Sequence, residues 1–158
     1  MKKIASFMVD HTKLLPGLYV SREDSIFGNT VTTFDLRLCK PNTGDVMNTG
    51  GIHATEHLVA TYLRNNPQWE DKVIYFGPMG CSTGFYMILA GKYSSNDVLF
   101  LVLDCFKFVA DYTGDIPGAS EVECGNYRDL DLFSAKEYAR RYCDVLAHAT
   151  EDRLIYPN

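Results

Sequence analysis

Hydrophobic and polar positions change period several times along the chain, and each change marks an element. From Thr30 to Lys40 they alternate, with Val31, Thr33, Asp35, Arg37 and Cys39 on one side and Phe34, Leu36 and Leu38 on the other, which predicts a half-buried strand. After the turn residues PNTGD the pattern becomes helical: a helix beginning near His53 carries Leu58, Val59, Tyr62 and Leu63 towards a core and stops before Pro67. KVIYFGPMG and STGFYMILAG read as two strands separated by a Gly/Pro break. SNDVLFLVLDCFKFVADY opens with helix N-cap chemistry and is too long for a typical strand, so it reads as a buried helix. GDIPGASEVECGNYRD is a long irregular loop. Leu132 to His148 is an amphipathic helix whose apolar set includes Phe133, Tyr138, Tyr142 and Leu146. These elements predict an α+β fold, a two-layer sandwich with a mainly antiparallel sheet packed against helices. Residues 1–158 read as a single domain, large enough to bury a core without disulfide staples.

Composition narrows the function classes. With 46% hydrophobic and 22% charged residues the chain is ordinary globular protein, and its formal net charge of −5 gives a nucleic-acid partner no basic surface. MKKIASFMVDHTKLL has no sustained apolar run, so no signal peptide is expected, and nothing in the sequence approaches a membrane span. The five cysteines are an odd number with no C-x-x-C pair, which suits a reducing cytoplasm where thiols act singly.

The chemistry concentrates in GGIHATEHLVATYL. His53 and His57 are four apart, so on a helix their rings share one face and can hold one ion, and Glu56 lies beside them as a potential acid/base. The order H-x-x-E-H is that of the inverzincin peptidases. The plainer reading is a solvated first turn whose residues merely suit a helix N-terminus. A catalytic metal site needs a third protein ligand, for which Glu121, Glu123 and Cys124 compete. Cys81, in GPMGCSTGFY between glycines, is placed for exposure into a cavity, and near a cation its thiolate becomes usable for proton transfer near neutral pH. A peptidase has no need of it. Cys39, Cys105 and Cys143 read as core or strand thiols, and His148 as a solvated residue near a helix end.

VDH at 9–11, FDLRLCKPN at 34–42, HATEHL at 53–58, GPMGCSTGFY at 77–86 and GDIPGASEVECGNY at 114–127 together resemble, in order and over most of the chain, the signature blocks of the S-ribosylhomocysteine lyase (LuxS) family. The resemblance implies that His53, His57 and Cys124 bind one divalent metal per subunit, Fe(II) in the cell, with Zn(II) or Co(II) accepted by the same donors. It implies Glu56 and Cys81 as proton-transfer groups, Ser6, His11 and Arg37 as substrate-binding residues, and a homodimer with active sites shared across the interface. The implied reaction is cleavage of S-ribosylhomocysteine to homocysteine and 4,5-dihydroxy-2,3-pentanedione, the autoinducer-2 precursor, with no organic cofactor, no nucleic acid and no membrane partner. Ser82 stands where the family often has Arg or Gln, PGLYVSR where many members read APYVR, and HAT where HTL is commoner. None of these changes removes an implied ligand or proton-transfer group. Two other classes make different demands: a metallopeptidase would take Glu121 or Glu123 as third ligand, and a metal-binding module would show no turnover.

Overall fold

The computed structural model describes residue 4 and residues 7–157. Strands β1 (Gly17–Ile26), β2 (Asn29–Arg37), β3 (Val73–Pro78) and β4 (Gly84–Ala90) form one sheet in the order β1-β2-β4-β3, antiparallel throughout. Helices α1 (Thr49–Arg64), α2 (Ser95–Asp111) and α3 (Leu132–Ala147) make the second layer. Leu18, Phe34, Phe76, Phe85 and Met87 of the sheet and Leu58, Val102, Phe106, Tyr142 and Leu146 of the helices meet in one buried core. The expected α+β sandwich is the observed one. No helix is long and apolar enough to cross a membrane among the described residues.

Several particulars differ from the sequence expectations, each for a local reason. Strand β1 has no clear signal because it bulges between Val20 and Arg22, so its apolar start runs into the polar stretch SREDS without a continuous period. It joins β2 through Phe27 and Gly28, both at positive φ (50° and 83°), as a two-residue hairpin turn that follows the sheet twist requires. Strand β2 is not half-buried: Thr32 to Arg37 are buried on both faces. Helix α1 starts four residues before His53, at Thr49, because the Asn48 side chain accepts a hydrogen bond from Gly51 N at 2.6 Å and caps it. The two glycines look like loop, but they serve close packing: a Cβ on Gly50 would lie 2.4 Å from the Asp129 carbonyl oxygen, and one on Gly51 2.5 Å from the Tyr138 ring.

Helix α2 begins with a capping box in which Ser94 and Asp97 satisfy each other's backbone N–H groups. In α3, Ala135, Ala139, Tyr142 and Leu146 are buried, whereas Phe133, expected in the apolar set, is 76% exposed on the other side of the helix. Cys39 and Cys105 are buried, Cys143 is half-buried on α3, and His148 is the exposed C-cap of that helix.

Candidate metal centre and the Cys81 site

Helix α1 presents His53 and His57 on one face, with ring centroids 4.8 Å apart. The loop after α2 brings Cys124 to them, its Sγ 3.3 Å from His53 Nε2, and the ligand atoms of the three residues lie within 4.8 Å of one another. All three are half-buried. His57 Nδ1 is 2.7 Å from the Pro117 carbonyl oxygen, which can only accept, so Nδ1 is the donor and Nε2 is the nitrogen turned to a metal. His53 turns Nε2 to Cys124 and Nδ1 towards the Asp129 carboxylate, 3.8 Å away. Two imidazoles and a thiol converging on one point, with carbonyl and carboxylate oxygens behind the rings, are a donor set that fits a divalent metal of the zinc or iron type. Glu123, one of the competing third ligands, instead accepts a hydrogen bond from Ser120 at 2.6 Å.

A second group assembles where β2 ends and β4 begins. Asp35 and Arg37 are two apart on β2 and therefore share a face; the Arg37 Nε and Nη2 atoms donate to the two Asp35 oxygens at 3.1 and 2.6 Å. Arg37 Nη1 donates to Thr83 Oγ1 at 2.6 Å and points at Cys81 Sγ, 3.8 Å away. Because a guanidinium has no acceptor, Thr83 Oγ1 must accept from it, and its own O–H is free to donate to Cys81 Sγ at 3.1 Å. Burial pushes the Cys81 thiol up, but the Thr83 hydroxyl and backbone N–H and the Arg37 charge together outweigh it and leave the thiol below its ordinary range. Cys81 is exposed, while burial raises the Cys105 thiol far above that range and the Cys143 thiol to about 11. Cys81 is therefore the readily ionised, accessible thiol of these three.

Residues 4–152 match the family described as S-Ribosylhomocysteinase (LuxS). The chain belongs to the LuxS family. It is 54% identical to the S-ribosylhomocysteine lyase of Clostridium beijerinckii, with all of both chains covered, and 53% identical to that of Desulfotalea psychrophila over the same full span. A third LuxS relative, the S-ribosylhomocysteine lyase of Clostridium acetobutylicum, is 50% identical over 99% of each chain.

Measured against the residues that the LuxS resemblance singles out, the structure brings His53, His57 and Cys124 into one cluster and Arg37 and Cys81 into another. Glu56 is on α1, half-buried, beside His57. His11 belongs to neither cluster; its hydrogen bond is local, between Nδ1 and the Val9 carbonyl oxygen at 2.9 Å. Ser6 lies outside the described residues. Sequence reasoning missed Asp35, Thr83, Asp129 and Tyr156, whose hydroxyl donates to Asp35 Oδ2 at 2.8 Å. Asp35 had a usable signal, since it stands two residues from Arg37 on a strand, whereas Thr83 is separated from Cys81 by a turn in which Ser82 has φ 59°. Tyr156 had none, being 121 residues from its partner.

Proposed function

We propose that this chain is a metal-dependent S-ribosylhomocysteine lyase, releasing homocysteine and 4,5-dihydroxy-2,3-pentanedione, the autoinducer-2 precursor. The observation that carries this reading is the presence, in a LuxS family member, of both a His53–His57–Cys124 donor set and an accessible thiol activated by Arg37 and Thr83. A metal held by His53, His57 and Cys124 would polarise the sugar carbonyl and ease loss of the neighbouring proton. Fe(II) is the proposed ion in the cell, with Zn(II) or Co(II) as substitutes, and no organic cofactor takes part.

The residues' tasks follow from the balance of the reaction. The ribose aldehyde is remote from the thioether, so the carbonyl must move from C1 to C2 and then to C3. Each shift takes a proton from one carbon and returns one to its neighbour, and Cys81 and Glu56 are the groups assigned to that traffic. With the carbonyl at C3, removal of the C4 proton breaks the C5–S bond. The electron pair leaves on the homocysteine sulfur, and the resulting enol becomes the diketone with no oxidant or reductant consumed. Arg37, Ser6 and His11 are the proposed substrate-positioning residues.

Residues 1–158 are proposed to act as a single cytoplasmic domain in a homodimer with shared sites. In support, His11 makes a local hydrogen bond to the Val9 carbonyl among the described residues, and the neighbouring Phe7 and Met8 are exposed at 71% and 74%. Metal-loaded protein incubated with S-ribosylhomocysteine should release free thiol to a chromogenic reagent. Absence of homocysteine refutes the proposed function.

A further inference from the structure

The C-terminal segment reaches the Cys81 group by a route that the proposed reaction does not use. Asp35 and Arg37 are almost fully enclosed, at 1% and 3% exposure, so little water competes for their hydrogen bonds. The two-point contact fixes the guanidinium relative to the carboxylate. Their place relative to the Cys81 sulfur depends on what each group touches beyond the pair. Thr83 and Tyr156 anchor it on opposite sides: Thr83 Oγ1 accepts from Arg37, and the Tyr156 hydroxyl donates to Asp35 Oδ2 at 2.8 Å.

Tyr156 is itself held by several independent ties. Its ring stacks on Tyr19, centroids 4.9 Å apart and planes 21° from parallel, and Tyr19 is the cross-strand partner of Asp35. The segment before it is fastened by Ser95 Oγ donating to the Leu154 carbonyl at 2.8 Å and Arg153 Nη1 donating to the Pro16 carbonyl at 2.7 Å. Burial, and then the Asp35 carboxylate, push the Tyr156 phenol far above its usual range, so the hydroxyl keeps its proton and is the donor in its bond to Asp35. The polar chain runs from Tyr156 to Asp35, from Arg37 to that same carboxylate and to Thr83, and from Thr83 to the Cys81 sulfur.

We propose that Tyr156 is a positioning residue: acting through Asp35, it holds the Arg37 guanidinium and hence Thr83 against the Cys81 sulfur, which makes the C-terminal segment part of the active-site architecture. This rests on the reading of Cys81 as a proton-transfer group. Arg37 is the charged group in contact with the sulfur, and the nearby Tyr86 phenol stays protonated because burial, and then Asp35, raise it.

The test uses full-length, metal-loaded protein and Tyr156→Phe, which keeps the ring on Tyr19 and removes only the hydroxyl. Alkylation of Cys81 by iodoacetamide, followed by peptide mass spectrometry across pH, reports the thiolate without any substrate. The expected result is a profile moved to higher pH, with alkylation at pH 7 slowed about two- to tenfold, the effect of one hydrogen bond on a charged group's partner. kcat for S-ribosylhomocysteine should fall with it, while KM and metal content stay close to wild type. A chain ending at Ile155 should show at least the same shift. A Tyr156→Phe profile that superimposes on wild type overturns the proposal, and a shift seen only in the shortened chain does so too, since packing and not the hydroxyl would then matter. Cys81→Ala separates the two ideas: if that variant still turns over substrate, the role given to Cys81 fails and takes the catalytic purpose of Tyr156 with it, whatever the alkylation profile shows.

Discussion

Replacing Asp35 by asparagine takes the carboxylate partner from the buried Arg37 guanidinium. In the wild-type chain the pair is enclosed, with side chains 2–3% exposed, and its charges meet at 2.6 Å. Removing one member of such a pair typically costs about 3–5 kcal/mol, because the remaining charge has neither water nor a counter-ion. An asparagine carbonyl still accepts one of the lost hydrogen bonds, which puts the expected loss near the lower end, about 3 kcal/mol. For a chain of this size that is a fall of roughly 6–12 °C in thermal midpoint. The double replacement Asp35→Leu with Arg37→Met removes both charges and leaves the Tyr156 hydroxyl and Thr83 each short of a partner, about 1 kcal/mol apiece. Added apolar burial offsets part of this, so the double variant should stand within about 2 kcal/mol of wild type and above the single one. Neither should release homocysteine, since Cys81 loses its positioned cation. Thermal unfolding at fixed protein and metal concentration, with thiol release on the same samples, makes the comparison. A double variant no more stable than Asp35→Asn would show that the fold needs the pair, and a double variant with wild-type turnover would remove Arg37 from the chemistry.

Cys124→Ala should lose metal, whereas Cys81→Ala and Glu56→Gln should retain it and lose turnover; metal analysis of the purified variants decides, and a metal-free Cys81→Ala protein would mean that the roles of the two cysteines are exchanged. Gly118→Ala should lower both stability and metal affinity, because φ is +75° there and the new Cβ would sit 3.2 Å from His57 Nδ1, against the ring that Pro117 orients. An affinity loss of about tenfold or more is expected for disturbing such a support, measured by competition with a chromogenic chelator. If the sites are shared between subunits, His11→Ala and Cys81→Ala proteins, each inactive, should recover about a quarter of wild-type activity when unfolded together and refolded at equal concentration, because random pairing makes half the dimers mixed and restores one site in each. Activity no higher than in the separate mutants, with mixed dimer present, would place both residues in one chain's site.

What could be read from the sequence follows the distance over which each feature is determined. The His53–His57 pair was legible because helix geometry alone puts residues four apart on one face. Its third ligand was not, since 67 positions separate His57 from Cys124 and the local pattern left Glu121, Glu123 and Cys124 open until the family resemblance was considered. The alternation of β2 identified a strand but misjudged its burial. A polar face carrying Thr33, Asp35 and Arg37 normally means solvent, and only the tertiary structure supplies the ion pair and the Tyr156 hydroxyl that let Asp35 and Arg37 go inside. Phe133 misled in the opposite direction: its apolarity suggested the core, while the small Ala135 and Ala139 make the close contact on α3.

The two clusters are held by different physical means, which bears on how each should fail. The metal cluster relies on close approach of backbone. Gly50, with no side chain, lets the Asp129 carbonyl pass against α1, and Asp131 N–H donates to the Gly50 carbonyl at 3.1 Å, so the segment following Cys124 is docked onto the helix that carries His53 and His57. That docking is carried by backbone groups of the chain itself, Gly50 on the helix and Asp129 and Asp131 on the segment that follows Cys124. The Cys81 cluster relies instead on charge and hydrogen bonds in an enclosed place, where each polar group is satisfied only through its neighbour. Perturbing the first should therefore grade with the bulk added at the glycines, whereas perturbing the second should propagate along the whole chain of bonds from Tyr156 to the sulfur.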